Sequence, residues 1–588
     1  MTKHGAAVLP DRKTYGILFF ILVLQVIAAF CFCARKTGFH YDEYYSYYTS
    51  NVTFGLVPTD REWKDGKEIR SEFMALPGEG PAYSTVIRMQ SYDVHPPLYY
   101  LFLRTACLLT PGRFSKWPAL GLNLAFFVLS WCILAALTWK MAVSLTELRR
   151  QKQGCGERDR EMLSAPERDG RFPAVVTVVV CLFYGFNPAV LSGVVLVRMY
   201  MLLGLLVLLI TLLHIRALEG TARGGRFFLP LALCVYLGFL THYYFAVYLF
   251  FLAAAMEVYL LFGQKRSRSL HDRWKEGICY AMTVTGALAA AVICYPACLG
   301  HIFRGYRGTE AVNAFFDIQN TAGRIRFFVG LLNEYVFGSF LPVLAAGYLF
   351  LWLAIRNAES KKAGKISVER EKRYQLPYEA AGQWFVILLP AFASAGYFFV
   401  VTKTALLTAE EANRYQMPVY GLLLLYAVLS AAALLQKLAA LGSLRIAAGT
   451  GVILFVLFFS GTLRGLLTDK VLFLYEEDAA NIEFARENRN TPVVYFYNAD
   501  LTWMIWDDSL ELMQYDRIYF VNLADTSAIT DPGLQNAGRV LVYCARSDSA
   551  PAALEAVKKT LASEEKNSVC AVKLRELLYC DLYELTAR

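Results

Sequence analysis

Long apolar runs separated by shorter polar segments fill the chain up to about residue 466. Crossing ~30 Å of hydrocarbon takes about 20 helical residues. Eleven runs predict spans: 15–34, 117–143, 173–190, 200–216, 227–241, 245–263, 277–298, one within 326–355, 384–401, 418–436 and 446–466. The run 98–110 is apolar but too short to span. Behind Pro96–Pro97 it predicts an amphipathic or half-buried helix lying along the membrane. Gly193 to Tyr200 predicts a short outer turn between the third and fourth spans.

Beyond residue 470 the pattern changes. Apolar runs shrink to strand length at Val493–Tyr497, Arg517–Val521 and Val540–Cys544, with helix-like segments at Asp478–Arg489 and Ala552–Ser563. Strands alternating with helices predict a small α/β domain with a mainly parallel sheet. The expected fold class is therefore a polytopic α-helical membrane protein, residues 1–469, followed by a small extracytoplasmic α/β domain, residues 470–588. No GxGxxG or Walker-type loop supports nucleotide binding, and no internal repeat predicts transporter-like symmetry.

Charge orients the spans. The loop Glu147–Arg171, the run Lys265-Arg266-Ser267-Arg268 and the loop 357–383 are basic, which the positive-inside rule places in the cytoplasm. Counting 98–110 as a span would put the first of these outside. Lys3, Arg12 and Lys13 precede the first run, whose length and lack of a small-x-small site favour a retained signal anchor over a cleaved peptide. The N-terminus is then cytoplasmic and, with an odd number of spans, the C-terminal domain is outside. The apolar fraction of 56% excludes an ordinary soluble domain, and the net charge of +9 sits largely in loops, so it marks topology rather than nucleic-acid binding. The thirteen cysteines lie mostly inside apolar runs and read as small apolar residues.

One polar stretch departs from this pattern. Phe39 to Tyr48, FHYDEYYSYY, follows the first span and sets Asp42 and Glu43 among five tyrosines. Insertion does not need such a pair, and tyrosines suit the water–lipid boundary. Asp42 can serve as a general base on an acceptor hydroxyl. Glu43 can raise the proton affinity of Asp42 by like-charge repulsion, or hold the acceptor. The bland alternative is a solvated interfacial pair. Other outer charges point to the same face. Asp93 and His95 can contact phosphate or bind a metal, although His95 can equally be a helix-start histidine. Arg198 can pair with a phosphate or snorkel from a helix end. Arg414 shares that ambiguity, with Tyr415 and Pro418 shaping its loop. Arg304 and Arg307 are further candidates for a substrate loop. His242 reads as an aromatic-belt residue rather than a ligand, and Asn51-Val52-Thr53 matches the N-glycosylation pattern.

The Asp-Glu pair in the first outer loop, HPPLYY from His95 to Tyr100, and the Arg-x-Tyr of Arg198 to Tyr200 together resemble the GT-C membrane glycosyltransferases. The closest likeness is to glycosyltransferase family 39, the dolichyl-phosphate-mannose protein mannosyltransferases and their bacterial relatives, over residues 15–430. The aminoarabinose transferases of lipid A are more distant kin and carry a lysine where this chain has His95. The resemblance implies transfer of a sugar from a polyprenyl-phosphate carrier on the outer face, with inversion. Acceptors would be an envelope glycan, lipid or protein. By position, Asp42 would activate the acceptor, Glu43 would support acceptor binding, His95 would sit beside the donor head group, and Arg198 and Arg414 would contact phosphate. The scheme requires no metal, and the sequence offers no clear metal cage, though a divalent ion stays open. Two other classes fit a polytopic chain: a transporter or flippase of lipid-linked saccharides, and a non-catalytic scaffold of envelope assembly. Few mid-span ionisable residues, Glu257 among them, favour an enzyme over a transporter.

Overall fold

The computed structural model describes residues 9–152, 170–221, 224–263, 269–363, 379–525, 527, 529, 531–562 and 568–587. Lys3, the run 265–268 and most of the basic loops 147–171 and 357–383 lie outside the described residues. Among the described residues, nine helices are long and apolar enough to cross a membrane, from Arg12–Arg35 to Leu444–Leu467. A bent helix pair and the apolar helix Gly225–Thr241 complete the set. These segments match the eleven expected spans one for one, and the chain is a multi-pass membrane protein.

The third span differs from expectation. It is broken into Arg171–Gly185 and Pro188–Val195, which meet at 52°. Asn187 is the reason: its side chain accepts the Ala189 amide (3.1 Å), and Pro188 follows as a first helical residue with no N–H to lose. The Asn187 side-chain amide also donates to the Val336 carbonyl (2.9 Å), which holds the break inside the protein. Pro188–Val195 is wholly buried. The expected outer turn shrinks to Leu196–Met199, and these residues are buried too. Asn123 donates to the carbonyls of Val194 (3.1 Å) and Leu196 (2.7 Å), so backbone groups freed at the end of that short helix are satisfied. This buried elbow presents Arg198.

The short helix Leu98–Cys107 lies where expected and buries Tyr99, Tyr100, Leu103 and Arg104. Before it, the helix Tyr41–Asn51 carries the acidic pair. Its tyrosines do not form the interfacial belt expected of them. Tyr44 and Tyr47 are buried in the core, both edge-on to Phe39 at 5.6 and 5.5 Å.

The sheet after the last span has six strands: β1 (Glu62–Lys64), β2 (Val493–Tyr497), β3 (Ile518–Asn522), β4 (Arg539–Ala545), β5 (Val569–Glu576) and β6 (Cys580–Ala587), in the order β1-β3-β2-β4-β6-β5. Only the central trio β3-β2-β4 is parallel; the flanking pairs are antiparallel. The sheet is therefore mixed rather than mainly parallel, because β5 and β6 form a hairpin on one flank. On the other, β1 comes from the loop after the first span and pairs Glu62 with Phe520. The helices Asp478–Glu487 and Ala550–Leu561 lie where expected.

Candidate active site

The helix Tyr41–Asn51 begins with a capping box. His40 Nδ1 accepts the Asp42 amide (3.1 Å), and Glu43 Oε2 accepts the His40 amide (2.7 Å). That geometry leaves the proton of a neutral His40 on Nε2, which donates to Glu411 Oε2 (3.0 Å). The cap turns Asp42 and Glu43 to different surroundings.

Glu43 is fully enclosed. Its Oε2 meets Lys36 Nζ at 2.9 Å, both side chains 0% exposed, and its Oε1 accepts the Val197 amide at 2.7 Å. Lys36 also donates to the Phe473 carbonyl (2.7 Å). Glu43 thus ties the end of the first span to the elbow that carries Arg198 and to the segment after the last span. It has no open face toward a substrate, so it serves as a positioning group where contact with the acceptor was expected. Unpairing one member of a fully buried ion pair costs ~3–5 kcal/mol. Glu43→Gln is therefore expected to lower the unfolding temperature of the detergent-solubilised protein sharply, as read by thermal melting.

Asp42 keeps 21% of its side chain exposed. Arg414 Nη2 lies 3.3 Å from Oδ2 and Arg198 Nη2 lies 4.0 Å from Oδ1, each arginine side chain only 3% exposed. Burial pushes the Asp42 carboxyl up, but the two guanidiniums outweigh it and hold the group well below the usual carboxylate range. The expected rise driven by Glu43 is not found, because Glu43 is neutralised by Lys36 and two cations face Asp42 instead.

Arg198 is fixed by three acceptors through Nη1: the Asp42 carbonyl (3.1 Å), Ser46 Oγ (3.2 Å) and Tyr100 Oη (3.1 Å). Its Nη2 faces the His95 ring at 3.4–3.5 Å. His95 Nδ1 pairs with Asp93 Oδ2 at 3.0 Å. Burial and the Arg198 charge lower the His95 pKa, with Asp93 opposing. Arg414 contacts Glu411 Oε2 at 3.5 Å and packs over the Tyr415 ring at 5.1 Å. Two guanidinium nitrogens here, Arg198 Nε and Arg414 Nε, are closed to water without a hydrogen-bond partner. Buried donors of that kind are costly when idle, and an oxyanion would satisfy them.

The structure therefore brings Asp42, Asp93, His95, Arg198, Arg414 and Tyr415 together. Arg307 pairs with Glu310 at 3.5 Å and lies over the Tyr306 ring at 4.9 Å, apart from the ion pairs made by Asp42. Arg304 is exposed at the end of the helix Ala297–Phe303 and takes no part in the cluster's ion pairs. Sequence reasoning missed His40, Lys36 and Glu411. The first was legible, since a polar residue three before a glutamate at a helix start is a cap signature. Among the described residues, no group of three or more His, Cys, Asp or Glu side chains converges to hold a metal ion.

No protein-family model and no curated protein matches the chain. Among solved structures it is similar to ArnT from Cupriavidus metallidurans bound to undecaprenyl phosphate, at 12% identity over 97% of this chain and 98% of that one, with a TM-score of 0.47. It is also similar to the Archaeoglobus fulgidus oligosaccharyltransferase complexed with Zn and sulfate (12% identity, 89% of this chain, 68% of that one, TM-score 0.40). A third is the archaeal oligosaccharyltransferase AglB from the same organism with an inhibitory peptide and a dolichol-phosphate (10%, 90%, 69%, TM-score 0.38). Likeness at these values concerns overall arrangement, and the chemistry rests on this chain's own residues.

Proposed function

We propose that this chain is an inverting glycosyltransferase that moves a sugar from a polyprenyl-phosphate donor to an acceptor hydroxyl at the outer membrane face, with its N-terminus cytoplasmic. The observation that carries the reading is one partly open carboxylate, Asp42, set between two buried guanidiniums that have unused donors. Asp42 takes the acceptor proton, and the acceptor oxygen attacks the anomeric carbon. The bond from that carbon to the phosphate oxygen breaks, and its electron pair leaves with the phosphate. The product is a phosphate monoester whose second pKa is about 6, so it departs without a general acid. Arg198 and Arg414 hold the charge that develops, an effect worth ~3–4 kcal/mol per preorganised donor.

The same two cations explain how a strongly depressed carboxylate becomes a useful base. A donor phosphate on Arg198 and Arg414 neutralises the charges that hold Asp42 down, and its proton affinity rises only when donor is present. Purified protein given undecaprenyl phosphate carrying mannose, glucose or N-acetylglucosamine, with water standing in as the acceptor hydroxyl, is expected to hydrolyse one of them to free sugar and undecaprenyl phosphate. Recovery of every lipid-linked sugar intact, by mass spectrometry, would sink the reading.

A further inference from the structure

The segment Ala499–Asp508 of the unit after the last span lies on the helix that carries Asp42, and its two tryptophans behave differently. Trp506 is buried. Its indole N–H donates to the Leu56 carbonyl (2.9 Å), and its ring packs on Tyr45 and Tyr48 at 4.3 and 5.0 Å. This is the contact that docks the segment.

Trp503 keeps part of its surface open. Its ring stands between Tyr41 at 5.4 Å and Tyr579 at 5.3 Å, and all three rings are partly exposed. The Tyr41 ring lies 4.0 Å from His40, and burial, then the Asp42 charge, push its hydroxyl up to about 12, so this row of rings starts near Asp42. Two carboxyl groups border it. Glu411 is held by His40 and Arg414. Asp507 has an Oδ2 closed to water without a hydrogen-bond partner. Burial, then Asp508, Asp478 and Glu411, push Asp507 up to about 8, so at neutral pH it can donate as well as accept. Both carboxyls lie close enough to the Tyr579 hydroxyl to help burial raise it to about 12.

Partly exposed rings offer apolar faces to the C–H face of a pyranose, and carboxyl groups at their edge suit its hydroxyls. We propose that Tyr41, Trp503 and Tyr579 form an acceptor platform on which a pyranose ring of a neutral glycan stacks, with Asp507 and Glu411 taking its hydroxyls. The proposal rests on the transferase reading, since it places the acceptor against Asp42. It assigns the unit after the last span a direct part in choosing the acceptor.

The test uses the full chain in lipid nanodiscs with cellobiose as the probe, read by saturation-transfer NMR. Cellobiose ring protons are expected to receive saturation. Its affinity should fall about fivefold to tenfold in Trp503→Ala and return largely in Trp503→Phe. No transfer to cellobiose, equal binding by Trp503→Ala, or tighter binding of choline than of cellobiose would each overturn the platform. Absent donor release with cellobiose binding still dependent on Trp503 would overturn the transferase reading and leave the platform standing.

Discussion

Asp42→Asn will reduce sugar transfer by about 10²–10⁴-fold, the range ordinarily lost with a general base. Asparagine keeps the shape and the capped helix start, so the variant should insert and fold. Its amide cannot take a proton from an acceptor hydroxyl. Donor binding should persist or tighten, because Arg198 and Arg414 no longer share their charge with a carboxylate 3.3–4.0 Å away. The measurement is a pair: transfer rate at saturating donor, and donor affinity by titration of polyprenyl phosphate. Transfer within tenfold of the parent would exclude Asp42 as the base.

Arg198→Ala should have an effect of similar size by a different route. Removing one preorganised cation from a water-poor site raises the barrier by ~3–4 kcal/mol, or roughly 10²–10³-fold in rate. Arg198 also joins the Asp42 carbonyl, Ser46 and Tyr100, so the alanine variant should loosen the helix that carries the base. Arg198→Lys separates the two roles. Lysine restores a charge but not the planar fork that reaches both Tyr100 and the His95 ring. It should recover stability more than rate. Parent-like transfer in the lysine variant would show that only net charge matters at this position.

The spans were legible because hydrocarbon demands long runs of apolar residues that satisfy their own backbone. Asp42, His95, Arg198 and Arg414 were legible as charges set near the ends of apolar runs. Hydropathy is blind to direction, however. The apolar run 173–190 reads as a continuous span, although Asn187-Pro188 carries the signature of a fresh helix start that breaks it. Adjacent residues on a helix also face different ways. Nothing in the order Asp42-Glu43 tells which acid is open to the cleft; the cap at His40 and the lysine seven residues before Glu43 decide it. The β5–β6 hairpin was missed because its turn holds Leu577, Leu578 and Tyr579 rather than a glycine or asparagine signal. β1 is only three residues long and gains meaning solely from its distant partner.

That distant partner has a consequence for biogenesis. Glu62–Lys64 leaves the ribosome early, yet the strand it must pair with, Ile518–Asn522, is made only after the final span. Local segments can settle as they emerge, but a contact of such long range has to wait for the rest of the polypeptide. Throughout synthesis the acid-bearing loop lacks its cover, and the tryptophan segment that docks on it does not yet exist. A nascent or prematurely terminated polypeptide therefore displays Asp42 without the finished surroundings. Assembly of the finished fold is tied to completion of its own translation.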